Sequence, residues 1–304
     1  MTPARTEAPA PRLALALLWI TPALWSSNYL IARATVGVVP PNTMALGRWA
    51  LALAVMLPWV FGDLRRQFPL WRGEWRQMIV LGALGMWICG AFVYIAAETT
   101  PVVNMGLIYA VAPIGVAIVG RLTLGESTTV LQRVGMAVAF LGVMFVMAKG
   151  HPANLLDVQF SIGDLWVAAA AAAMVAYSVL QQRWPSALGT FQRVACITAG
   201  GVIVLIPFTI FERLTSVSPP FTLHGFGLIA LAALVPGVLA YMGYSIILRD
   251  LGVTRASIVM YLGPVYGAAT AWWLFGETPQ WYHFVGGALI LPSIYLATRP
   301  ADEP

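Results

Sequence analysis

Charge is what this chain has least of. Only 10% of its 304 residues are Asp, Glu, Lys or Arg, against about 25% in a soluble domain. With 60% of residues hydrophobic, a soluble globular fold is excluded. Cysteine is nearly absent too. Cys89 and Cys196 both fall inside apolar runs, where a thiol serves as small apolar filler. A disulfide framework and a cysteine metal site are therefore excluded, and neither metal nor cofactor is expected. The histidines, His151, His224 and His283, fall in loops or at the ends of apolar runs. No pair of aspartates lies inside a run, so the constellations of an intramembrane protease are missing. The pattern GxxxxGK[ST] is missing as well, which excludes a phosphate-loop pump. The reading is of a non-enzyme.

Acidic residues are scarce where they would matter most. All twelve fall in tails, loops or the ends of runs. A carboxylate at the centre of a membrane helix costs about 2.5–3.5 kcal/mol and usually signals ion coupling. The lack of one argues against a mid-membrane proton relay. The net charge of +5 sits on short connectors, which is an orientation signal and not a nucleic-acid footprint.

What the chain does have is one stretch written twice. Residues 112–126 read APIGVAIVGRLTLGE, and residues 263–277 read GPVYGAATAWWLFGE. Pro113 to Glu126 spans 13 positions, as does Pro264 to Glu277, and the copies are offset by 151 residues. Gly135 and Gly286 keep that offset. Such a period indicates internal duplication, and in membrane sequence it points to a transporter of two related halves.

About 20 apolar residues are needed per crossing. On that criterion the chain divides into runs at roughly 13–36, 42–62, 76–98, 100–122, 129–149, 163–184, 188–211, 225–248, 251–275 and 280–298. The first run is too long for a signal-peptide core of about 7–15 residues and reads as an uncleaved helix. The expected organisation is a cytoplasmic tail 1–12, a five-helix repeat 13–149, a connecting loop 150–162, a second five-helix repeat 163–298 and a cytoplasmic tail 299–304. With both termini inside, thirteen of the seventeen Lys and Arg fall on the cytoplasmic side. Only Arg33, Arg48, Lys149 and Arg213 fall on the other, counting helix ends. That bias sets the orientation. Two homologous halves with an odd number of helices must then cross in opposite senses. Glu126 is expected inside and Glu277 outside.

These residues resemble the drug/metabolite transporter superfamily, EamA type. The likeness rests on the central Pro and terminal Gly-Glu of both copies, on Ala256 and Ser257 ahead of Pro264, and on Trp25-Ser26-Ser27-Asn28 in the first run. Ala176-Tyr177-Ser178 matches that last motif more weakly. Glu98 and Pro101 depart from the family pattern. The nearest likeness is to the YddG-type aromatic amino acid exporters of that superfamily. The resemblance implies an all-α integral membrane fold: ten transmembrane helices as two inverted five-helix repeats around a central cavity. It implies export of amino acids from a bacterial cytoplasm across the inner membrane. Expected partners are a small-molecule substrate and the lipid bilayer, with no nucleic acid, in a monomer or weak homodimer.

Uncharged polar and aromatic groups within the runs are the candidates for contact with substrate. Unmet donors and acceptors in lipid cost several kcal/mol, so each must face another helix or a wet cavity. The cavity set is Trp25, Asn28, Tyr94, Tyr109, Tyr177, Gln181, Tyr244, Ser257 and Tyr261. Ser27, Asn104 and Trp87 belong to the same pool. Glu98 is the one candidate for coupling or gating, at the outer end of the third run. Pro113 and Pro264 are candidate kinks or hinges. Glu126 and Glu277 are expected to serve structure, at a helix end or beside a loop arginine. Alternatives left open are drug or metabolite efflux coupled to protons, and a channel-like pore.

Overall fold

The computed structural model describes residues 12–156, 159–216, 219–276 and 278–298. Arg5, Glu277 and Arg299, used above for charge bias and repeat, lie outside the described residues, as do most of both tails. The described chain is helical throughout. In order it forms α1 (Arg12–Thr35), α2 (Pro41–Arg66), the single turn α3 (Phe68–Trp71), α4 (Trp75–Gly82) and α5 (Cys89–Ala97). Then come α6 (Val102–Tyr109), α7 (Ala112–Leu124) and α8 (Val130–Met147), followed by α9 (Ile162–Arg183) and α10 (Thr190–Thr215). The rest is α11 (Leu223–Ala232), α12 (Ala240–Ser257), α13 (Gly263–Phe275) and α14 (Trp281–Thr298). Eight helices among the described residues are long and apolar enough to cross a membrane. This is an all-α, multi-pass integral membrane protein.

Local chemistry explains the breaks. Pro40 and Pro41 open α2, where a missing N–H costs nothing. Thr129 and Gln132 form a capping box at α8, and the Asp164 carboxylate accepts the Ser161 N–H at 2.7 Å to start α9. Gly125 and Gly276 end α7 and α13 in the left-handed conformation, at φ 70° and 66°. Pro113 and Pro264 each stand second in a helix, α7 and α13. They begin helical segments after an interruption, where their missing N–H does least harm. The sequence placed them in mid-helix, and the structure places them at these internal starts.

The duplication extends to departures from α geometry. Two π-helical stretches, Ala83–Ile88 and Ala233–Leu239, join α4 to α5 and α11 to α12. They match the 151-residue offset to within one residue. The eighth and ninth apolar runs, separate in the sequence reading, form one helical stretch, Leu223–Thr270. It breaks at Gly252, whose φ of 82° and ψ of 171° lie outside helical space. Only glycine holds that angle cheaply, and a Cβ there would meet Glu126 Oε1 at 2.9 Å.

Equivalent helices of the two halves pack antiparallel. At the start of α2, the Asn42 and Thr43 N–H groups both donate at 2.8 Å to the Glu212 carboxylate, near the end of α10. At the other end, Gln192 on α10 donates to Asp63 on α2 at 3.2 Å. The pair α8 and α14 behaves alike. Gly142 faces Ile290 and Gly286 faces Val146, and Gly150 lies against Trp281. A Cβ on Gly286 would stand 2.0 Å from Val146 Cγ2, so the close approach needs glycine. α1, α5, α9 and α12 pack into the main core, where Trp49, Tyr94, Tyr177 and Tyr244 are fully buried. Trp59, Leu122, Leu141 and Phe211 are exposed, as suits a lipid-facing surface.

Candidate functional site

A cavity opens among the core helices, with about 690 Å³ of empty space including its open side. The middle of α1 contributes Pro22, Trp25, Ser26, Asn28 and Tyr29. Arg48 enters from α2, Val93 and Cys89 from α5, Tyr109 from α6 and Met174 from α9. Tyr241 comes from α12, followed by Val259, Met260 and Gly263 around the start of α13. Both halves therefore build one site.

Aromatic rings form much of the wall. Trp25 meets Tyr244 with centroids 4.8 Å apart and Tyr241 at 5.7 Å. Tyr29 and Tyr109 meet edge to face at 6.2 Å. Tyr241 is aimed by two contacts: its ring stands edge-on to Trp49 at 4.8 Å, and its hydroxyl donates to the Gly85 carbonyl at 2.9 Å. That carbonyl is available because Gly85 belongs to the first π-helical stretch, where the i→i−4 ladder is disturbed.

The polar feature of the cavity is Arg48, only 2% exposed. Its Nη1 donates to Asn28 Oδ1 at 3.1 Å and to the Tyr94 hydroxyl oxygen at 3.2 Å. Its Nη2 donates to the Pro236 carbonyl at 2.9 Å. Tyr94 in turn donates to Asn28 Oδ1 at 2.9 Å. The guanidinium also lies 4.5 Å from the Trp49 ring centroid. All of these partners are neutral. The sequence reading placed Arg48 among outward helix ends. That is corrected here: Arg48 lies seven residues into α2, about 10 Å from its start at 1.5 Å per residue. It is held inside because neutral dipoles and an indole face replace water around it.

Of the residues singled out from sequence, Trp25, Asn28 and Tyr109 line the cavity. Tyr94 stands behind it, orienting Asn28 and Arg48. Tyr244 is buried behind Trp25, with its hydroxyl 2.7 Å from Ser178. Tyr177 is buried over Gly85 and beside Tyr241. Gln181 is buried, and its carbonyl accepts from Arg193 at 2.9 Å. Ser257 bonds to the Thr254 carbonyl at 2.8 Å, within its own helix. Tyr261 belongs to a separate cluster with Met136 and Ile290. Asn104 holds Asp164 at 3.2 Å, at the start of α9. Ser27 bonds to its own backbone at Leu24, and Trp87 stacks on Phe208 at 3.8 Å. Glu98 is exposed at the end of α5 and does not line the cavity. Partial burial, then the negative charge of Glu212, raise its carboxyl above the ordinary range.

Arg48, Tyr29, Cys89 and Tyr241 were missed. Arg48 carried a signal, as a charge well inside an apolar run. Tyr241 sits three residues from Tyr244 and so shares its helix face.

Glu126 reaches from the end of the first duplicated stretch to the break in α12. Its carboxylate accepts the Thr254 hydroxyl at 2.7 Å and the N–H groups of Val253 and Thr254 at 3.2 and 3.3 Å. It therefore caps the helical segment that restarts after Gly252, as a carboxylate does at any helix N-terminus. A helix-end role was the expectation from sequence.

An all-helical membrane protein with a cavity shared by two duplicated halves has the design of a transporter. The chain matches the EamA-like transporter family over residues 12–148 and 161–299, and it belongs to that family. It is a membrane transporter, not an enzyme. It is 27% identical over 281 residues to the uncharacterized transporter YyaM of Bacillus subtilis, covering 90% of this chain and 89% of that protein. It is 26% identical over 292 residues to a probable terminal-alkyne amino-acid exporter of Streptantibioticus cattleyicolor, covering 93% and 92%. A solved crystal structure superposes with a TM-score of 0.73 at 18% identity, over 94% of this chain and 96% of the other. That likeness concerns the fold alone.

Proposed function

We propose that this transporter exports small organic metabolites, foremost aromatic or hydrophobic amino acids, across a bacterial inner membrane by alternating access. The observation that carries the proposal is the aromatic and polar cavity built by both halves, together with the Glu126 contact that ties one half to the other. An amino acid suits it, since aromatic faces accept an apolar side chain and fixed dipoles accept its polar head. Similarity to a probable amino-acid exporter supports the same substrate class.

The proposed architecture is two inverted five-helix repeats, 13–149 and 163–298, joined by the loop 150–162. The stretch Leu223–Thr270 counts as two crossings. Its 48 residues would reach about 72 Å as one helix, more than twice the roughly 30 Å hydrocarbon core. With the six long helices between Pro41 and Thr215, and with α1 and α14, this makes ten. Antiparallel packing of α2 with α10 and of α8 with α14 supports the inversion. On the positive-inside count both termini are cytoplasmic. The Glu126 contact then closes the cytoplasmic end. The working unit is a monomer or weak homodimer.

In this proposal movement is by facilitated diffusion, as suits a cavity with no carboxylate among the described residues that line it. Proteoliposomes loaded with labelled amino acids, and separately with organic cations, test the proposal. Saturable amino acid flux that a pH gradient does not drive uphill is the expected result. Cation flux without amino acid flux would favour drug efflux instead. Non-saturable flux of both would favour a pore.

A further inference from the structure

We infer that Arg48 is the anchor of a carboxylate subsite, so that a substrate of this transporter must carry a free carboxylate. The inference rests on the reading of the cavity as a substrate site and narrows it to a chemical class.

The argument begins with an imbalance. Arg48 is a buried cation lining the cavity, and no acidic side chain among the described residues pairs with it. Membrane charges of this kind pair with another group or mark a substrate path. Neutral acceptors offset part of the cost of keeping it there, but they leave a full positive charge in a site of low dielectric. A guanidinium has five N–H donors. Three hydrogen bonds are made to Asn28, Tyr94 and Pro236, and Nε has no partner. Two donors therefore remain without a partner, the Nε–H among them buried beside Gly237.

The neighbours are arranged to serve an anion. Asn28 spends its oxygen on Tyr94 and Arg48, which leaves its amide N–H groups uncommitted beside the guanidinium. Trp49 holds the guanidinium by its ring face, and the Pro236 carbonyl, in the second π-helical stretch, accepts from it. Backbone and side chains thus fix the cation in one place before substrate arrives. A cationic drug would meet this charge as repulsion, and a neutral one would leave its donors unmet.

The test uses the full chain. In proteoliposomes the best-transported labelled L-amino acid is challenged with four competitors: L-phenylalanine, 3-phenylpropionate, phenylalaninamide and phenethylamine. The first two keep the carboxylate and the last two lack it. Both carboxylates should compete, and the amide and amine should be weaker by roughly ten- to a hundred-fold, as for loss of a hydrogen-bonded charge. Thermal stabilisation of purified protein by the same four compounds gives a reading that needs no flux. Arg48→Lys should keep a weakened preference for carboxylates, and Arg48→Gln should lose it. If either variant fails to fold, the series on the unaltered protein decides. Amino acid flux inhibited equally by acid and amide would overturn the subsite and leave the exporter reading standing. Stabilisation by both carboxylates without any amino acid flux would support the subsite and remove the amino acid reading. Stabilisation by neither carboxylate would overturn the subsite.

Discussion

Tyr94 shows how one hydroxyl can serve a site it does not line. It accepts from Arg48 and donates to Asn28, so Tyr94→Phe leaves one Arg48 hydrogen and one Asn28 lone pair short. An unmet buried group costs about 1–3 kcal/mol. The variant should lower Tm and raise the half-saturation concentration for substrate, both measurable on purified and reconstituted protein. Cys89 offers a natural reporter, since it lines the cavity with its sulfur 3.4 Å from the Tyr109 hydroxyl. In a Cys196→Ala background, a small thiol reagent should label Cys89 and block flux, and substrate should slow the labelling. At Glu98 the carboxyl keeps its proton to higher pH in the folded state than in the unfolded chain. Stability from this group therefore falls as pH rises through that interval. Glu98→Gln should raise Tm slightly above the parent at neutral pH, and the gap should close as acidification protonates the parent's carboxyl. The same variant should leave the flux response to a pH gradient unchanged.

Helix ends carry some of the inter-half contacts. Glu126→Ala removes an acceptor from two backbone N–H groups and one hydroxyl, and loss of a helix cap costs about 0.5–2 kcal/mol. Cysteines placed near Val253 should then react faster with an impermeant reagent from the Glu126 side. Unchanged reactivity would mean that Glu126 holds the helix without closing the cavity. Legibility from sequence divides along this same line. The duplication, the stops at Gly125 and Gly276 and the helix-end role of Glu126 were readable, because proline, glycine and apolar length act locally. The side on which Tyr177, Ser257 and Tyr261 lie was not, since a helix apolar on all faces carries little periodicity to show which face meets the cavity. Arg48 was misplaced for a related reason. Counting charge by span treats position along the helix as depth and ignores the neutral groups that retain a cation inside.

Two halves of one chain lie antiparallel wherever their equivalent helices meet, as α2 with α10 and α8 with α14. Ser127→Cys and Thr278→Cys, both at exposed positions, should accordingly label from opposite faces of sealed vesicles. Labelling from the same face would remove the inverted arrangement. The Gly85 and Pro236 carbonyls stand at equivalent places in the two halves, yet one accepts from a tyrosine and the other from an arginine. Backbone inherited from duplication is thus alike on the two sides, and the side chains that use it are not. Exchange of conformations between the halves cannot then be a swap of equals. The rest state must lean toward one membrane face, and reconstituted transporters sorted by orientation should show different half-saturation concentrations for substrate offered from either side.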